Sequence, residues 1–133
     1  MSTTRYTKFK NCLDAVAATG EGSAIPVGEY RHVVLQVGSA NSANLTVKFQ
    51  GSISEDSPDF GAAQTVANHW DYVQVIDLED AAAIAGDTGL ALSGTDDFRN
   101  FLVNVDGLEW INAEVTAYTA GNLTVQVRAY TNK

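Results

Sequence analysis

Apolar and polar residues alternate along much of this chain with a period of two. From Asn44 to Ile53 the polar positions are Asn44, Thr46, Lys48, Gln50 and Ser52, opposed by Leu45, Val47, Phe49, Gly51 and Ile53. Successive side chains on a strand point to opposite faces, so the pattern predicts a strand with one wet face and one core face. Leu123, Val125, Val127 and Ala129 oppose Thr124, Gln126 and Arg128 in the same way, and Ile111, Ala113, Val115 and Ala117 oppose Asn112, Glu114, Thr116 and Tyr118. Val33, Leu35 and Val37 continue the pattern, as do Phe101, Val103 and Val105. Tyr72 to Leu78 is apolar on both sides at several positions, which predicts a more enclosed strand.

Turn chemistry separates these runs. Gly38 to Ala43 and Thr119-Ala120-Gly121 carry the Gly and Asn that supply positive φ, so each predicts a hairpin. The two predicted hairpins resemble each other, Asn44 to Phe49 matching Asn122 to Val127 at an offset of 78 residues. Asn11 to Thr19 reads as a brief helix with Leu13 and Val16 inward and Gly20 as its cap. Ser54 to Asp59 reads as a turn, and Glu79 to Asp97 as the longest stretch without strands. Seven or eight one-sided strands predict an all-β fold, an antiparallel β-sandwich of jelly-roll type. The expected organisation is an N-terminal arm with a short helix or loop over residues 1–22 and a β-sandwich domain over 23–133.

Composition narrows this picture. The 133 residues suit one domain, and 45% hydrophobic with 18% charged residues is ordinary globular usage. Eight basic against sixteen acidic residues give a net charge of −8, which argues against a nucleic-acid partner. The charge is uneven. Residues 51–114 carry Arg99 against thirteen acids, whereas Arg5, Lys8 and Lys10 fall within the first ten positions. The one cysteine, Cys12, excludes an intrachain disulfide and reads as a small buried hydrophobe. Met1 to Lys10 has no apolar core, so no signal peptide is expected, and no run of about 18 apolar residues predicts a membrane span.

No catalytic motif stands out. A Gly-x-Ser-x-Gly elbow, a phosphate-binding loop and His-Glu-x-x-His are all absent from the sequence. Glu109 and Glu114, five apart along a strand, would face opposite sides and not share a cleft. Asp77, Glu79, Asp80, Asp87, Asp96 and Asp97 cluster in sequence but match no calcium-loop spacing, and His32 and His69 lack zinc-ligand neighbours. No cofactor or metal is expected. The aromatic residues Trp70, Tyr72 and Trp110 are candidates for a protein interface or a sugar contact, although tryptophan at a strand start also plugs the end of a core. Asn44-Leu45-Thr46 and Asn122-Leu123-Thr124 fit a glycosylation acceptor pattern and read better as strand starts.

Several stretches occur together in a recognisable pattern: Phe9-Lys10, Ala17 to Gly20, Asn44 to Ser52, His69 to Val75, Gly86 to Gly89, Asn104 to Trp110 and Thr116 to Asn122. Through them the sequence resembles a group of small virion proteins encoded among the structural genes of tailed bacteriophages and prophages, from about residue 8 to 131. The resemblance implies a non-enzymatic β-sandwich that decorates or cements a capsid, with the major capsid protein as partner. It also implies a symmetric homo-oligomer, with a trimer favoured, located on the virion surface after synthesis in the host bacterial cytoplasm. A tail or baseplate component is a second reading, and a carbohydrate-binding module a third. Neither nucleic acid nor a membrane is an expected partner. The basic and aromatic arm, Arg5, Tyr6, Lys8, Phe9 and Lys10, is the expected capsid-binding element.

Overall fold

The computed structural model describes residues 7–66 and 68–131. Ten strands run in the order β1 (Thr7–Val16), β2 (Gly20–Glu21), β3 (Ile25–Pro26), β4 (His32–Ser52), β5 (Asp71–Tyr72), β6 (Val75–Asp77), β7 (Ala83–Ile84), β8 (Leu90–Thr95), β9 (Phe98–Val103) and β10 (Trp110–Tyr130). All pair antiparallel within one sheet, and no helix occurs among the described residues.

Two 21-residue strands, β4 and β10, organise the molecule. They pair along their whole length, from Trp110 opposite Ser52 to Tyr130 opposite His32. The segments expected to be hairpin turns lie instead in the middle of these strands and face each other. Asn41 and Ser42 have φ of 61° and 55°, and Gly121 has φ of 81°. The register slips between Val115 and Asn122, which bends both strands together. Positive-φ residues serve a strand corner here, as they serve a hairpin elsewhere. The 78-residue offset maps β4 onto its own partner, β10, giving the pair an approximate two-fold symmetry.

The corner divides the sheet into two arms. In the first, the order is β1, the second half of β10, the first half of β4, β9, β6 and β7. In the second, β2 and β3 flank the first half of β10, while β8 and β5 flank the second half of β4. The arms face each other. Phe101 is paired with Leu35, fourteen positions from Phe49, or about 46 Å along a straight strand. The Phe49 and Phe101 rings nevertheless lie 6.5 Å apart, so the sheet has folded over onto one core. Most predicted inward residues line it: Val33, Leu35, Val37, Leu45, Val47, Phe49, Phe101, Val103, Ile111, Leu123, Val125 and Val127 are all buried, whereas Ile53 and Ala117, also expected inward, are exposed.

Three other expectations give way. The brief helix over Asn11–Thr19 is part of a strand, because two register shifts in β1, after Asn11 and after Leu13, break the two-residue alternation. They bring Leu13 and Val16 to pairing positions three residues apart, a spacing that imitates a helical turn. Tyr72 to Leu78 is split, with β5 paired to β4 in one arm and β6 to β9 in the other. The stretch from Glu79 to Asp97 contains β7 and β8, whose Leu90 and Leu92 enter the core.

Candidate interaction surfaces

The outer faces of the two arms differ. In the second arm, Gln50, Ser52 and Asn112 point away from the core yet are buried: the segment after β4 bonds to Gln50 through the Phe60 carbonyl and to the Ser52 hydroxyl through the His69 carbonyl, and Asn112 is held between Cys12 and Gln50. Phe60, 3% exposed, anchors that cover, and the Gln50 Nε2 amide donates to the Phe60 carbonyl at 2.9 Å. The Phe60 and Trp70 rings are 6.2 Å apart, and Trp70 meets Tyr72 edge-on at 5.1 Å. The Trp70 indole N–H donates to the Ala62 carbonyl at 3.1 Å, and the Trp110 indole N–H to the Glu55 carbonyl at 3.3 Å. Both tryptophans are half-buried and hold the cover down; Tyr72 lies beneath it with Lys48 Nζ 4.8 Å over its ring. Ile53, His69, Trp70, Tyr72, Val73 and Leu108 line a shallow cleft of about 460 Å³ at the margin of the cover.

A polar chain crosses the covered face. The Cys12 thiol donates to Asn112 Oδ1 at 3.1 Å, and Asn112 Nδ2 donates to Gln50 Oε1 at 2.9 Å. Gln50 Nε2 also reaches Glu114 Oε1 at 3.5 Å, which accepts the Tyr72 hydroxyl at 2.9 Å. Cys12 fills the gap between β2 and β3, where its sulfur accepts the Ala113 N–H at 3.2 Å. Burial pushes the Cys12 thiol up to about 12 despite that bond. Tyr72 is pushed up to about 12 by burial and then by its bond to the Glu114 carboxylate. Among the described residues no buried side-chain nitrogen or oxygen lacks a partner. This chain joins residues far apart in sequence, so alternation alone gives no signal for it.

Among the described residues, none covers the first arm in this way. Its outward residues form rows across the strands, of which the clearest is Phe9–Arg128–Val34–Leu102–Ile76. The next row holds the amides Asn11, Gln126, Gln36 and Asn100, with Gln36 donating to Asn100 at 3.3 Å. A third places Phe98 against Gly38, whose missing side chain makes room for the ring. Phe9 is 61% exposed, Phe98 70% and Leu102 38%. Arg128 packs 5.2 Å over the Tyr130 ring, which stacks on His32 at 5.0 Å. None of the residues in these rows is acidic.

The structure separates the predicted arm. Lys8, Phe9 and Lys10 belong to β1, an edge strand, and Arg5 and Tyr6 lie outside the described residues. Phe9 joins the outer face, while Lys8 and Lys10, pointing the opposite way, sit opposite Ala129 and Val127. The predicted acidic cluster is likewise dispersed. Asp77 is buried and pairs with Arg99; the Glu79 N–H and that guanidinium hold its carboxyl below the usual range. Among the described residues no three His, Cys, Asp or Glu side chains gather as metal ligands would. Glu114 is tied to Tyr72, and Glu109 is exposed beside Gly28. No helix among the described residues is long and apolar enough to cross a membrane.

No protein-family model matches the chain, and no curated protein matches it by sequence. Solved structures do match in fold. The SPBc2 prophage-derived protein YomS superposes with a TM-score of 0.67 at 17% identity, covering 98% of this chain and 98% of that one. The PBSX exported protein XepA superposes with a TM-score of 0.72 at 19% identity, covering 98% of this chain and 40% of XepA. The chain therefore spans less than half the length of XepA. Both structural neighbours are phage-derived proteins, and at these identities the likeness is one of fold.

Proposed function

We propose that this chain is a non-enzymatic phage virion protein that decorates or cements the capsid. It binds the outer surface of the assembled shell and bridges major capsid subunits. A protein that binds only the assembled shell stabilises that state by mass action. The full-length likeness to a prophage-derived protein supports the reading, and edge strand β1 carries it. On a molecule of net charge −8, β1 carries Lys8 and Lys10 on its core-side register, Lys10 exposed and Lys8 half-buried beside Pro26, Glu29 and Glu109. Together with Arg5 and Tyr6 they form the attachment element, while Phe9 turns to the opposite face and serves a different contact. A cyclic oligomer, a trimer over local threefold positions, matches the symmetry of a shell. The half-buried tryptophans, their N–H groups already bonded to backbone carbonyls, favour this reading over a sugar-binding one.

The test is cryo-electron microscopy of particles carrying a tagged copy of the protein. Repeated density on the head, lost on substituting Lys8 and Lys10 by Glu, is the expected result. Density confined to the tail, or no incorporation, would refute the proposal.

A further inference from the structure

The contrast between the two arms points beyond shell attachment. The approximate two-fold that carries β4 onto β10 also carries Gln50 onto Arg128, 78 residues on. It places Phe9, paired with Arg128, where the other arm has Tyr72, paired with Gln50. In the second arm this row is sealed by the Ser54–Trp70 segment, which contributes Phe60 and Trp70 and the acids Glu55, Asp56 and Asp59. In the first arm no described residue covers the equivalent row. We infer that the outer face of the first arm, centred on Phe9, Arg128, Val34, Leu102, Ile76 and Phe98, is covered by a second copy of this chain in a head-to-tail contact.

Three observations select that occupant. A segment of this chain already covers a face of the same construction, so its own surface chemistry fits such a row. The face has no acid in its rows and carries Arg128 and His32, while residues 51–114 hold thirteen of the sixteen acids. The exposed acids lie outside these rows, so an acid-bearing surface of one copy complements the bare face of the next, whereas two bare faces bring only basic groups together. Such a contact between different patches propagates from copy to copy, into a ring where the rotation between copies closes and into a filament where it does not. The first row crosses five strands, about 19 Å at the usual strand spacing, and the exposed Phe9, Leu102 and Phe98 give the contact its apolar centre. Uncharged amides along the second row suit a contact that must exclude water without stranding buried charge.

The inference is independent of the shell reading, and its test needs no shell. Sedimentation of the purified full chain at about 50 μM should show a closed oligomer. The Phe9→Ser/Leu102→Ser variant and Arg128→Glu should each sediment as monomers that still unfold cooperatively. Hydroxyl-radical footprinting of the unaltered chain covers the case of a variant that misfolds: Phe9 and Phe98 should gain protection as concentration rises. A monomeric wild type, folded variants that still assemble, or no protection of Phe9 and Phe98 would overturn the inference. A monomeric variant that still labels phage heads would separate this contact from shell attachment.

Discussion

Cys12 shows how a single residue is committed by what surrounds it. Free cysteine is readily buried, and this one is both buried and bonded, donating to Asn112 and accepting from Ala113. Its ordinary value of 9.0 rises to about 12, and that of Tyr72, at the other end of the polar chain, from 10.0 to about 12. Both groups hold their protons more tightly when folded. Unfolded, they release them from about pH 9 to 10, so their contribution to stability is complete below that range. It is lost as the pH climbs towards 12. The double variant Cys12→Ala/Tyr72→Phe should be less stable than wild type at pH 8. Its urea midpoint should then fall less between pH 8 and 11. Parallel declines in the two proteins would show that these groups do not set the alkaline limit.

At the level of strands, the corner is the decisive device. Gly121 combines a φ of 81° with close approach, since an added Cβ would lie 2.7 Å from the Ala40 carbonyl oxygen and nearer still to Ala43 Cα. Gly94 shares the positive φ (73°) but has open space around it. Gly121→Ala should therefore cost about 2–4 kcal/mol and Gly94→Ala only about 1 kcal/mol, read from chemical denaturation. Equal costs would mean that backbone conformation alone, and not the crossing of β4 and β10, makes glycine necessary. The corner also explains what the sequence made legible. Alternation placed most inward residues of β4, β9 and β10 correctly, because pleating imposes a period of two whatever the partner strand; it failed at Ala117, just past the register slip after Val115, and at Ile53, just beyond the end of β4. It could not distinguish a turn that reverses the chain from one that bends it, since Asn41, Ser42 and Gly121 carry the same local chemistry in both. The bulged Leu13 and Val16 imitated a helix for a similar reason. Among the surface candidates, Trp70 and Tyr72 were recognisable as neighbours in sequence. The row from Phe9 to Ile76 was not, because its members come from five strands and only register brings them together.

On the scale of the whole molecule, running both long strands through both arms makes the arms a single cooperative unit. Neither arm can lose its central pair without releasing half of β4 and half of β10 from the other. The core seals this coupling where Phe49 of the second arm meets Phe101 of the first; both rings are fully buried. Truncating a buried phenylalanine costs about 3–5 kcal/mol. Phe49→Ala and Phe101→Ala should thus lower one and the same melting transition, although they lie in different arms. Calorimetry should give a single peak for wild type and for each variant, with an enthalpy of roughly 90 kcal/mol for the wild-type chain on the usual per-residue scale. The double variant should lose less than the sum of the two single changes, because the ring pair can be broken only once. The comparison belongs at one protein concentration, since any association of folded chains would shift the midpoint with concentration. Two resolved peaks, or a variant that melts one arm and leaves the other folded, would show that the corner joins two independent units and not one.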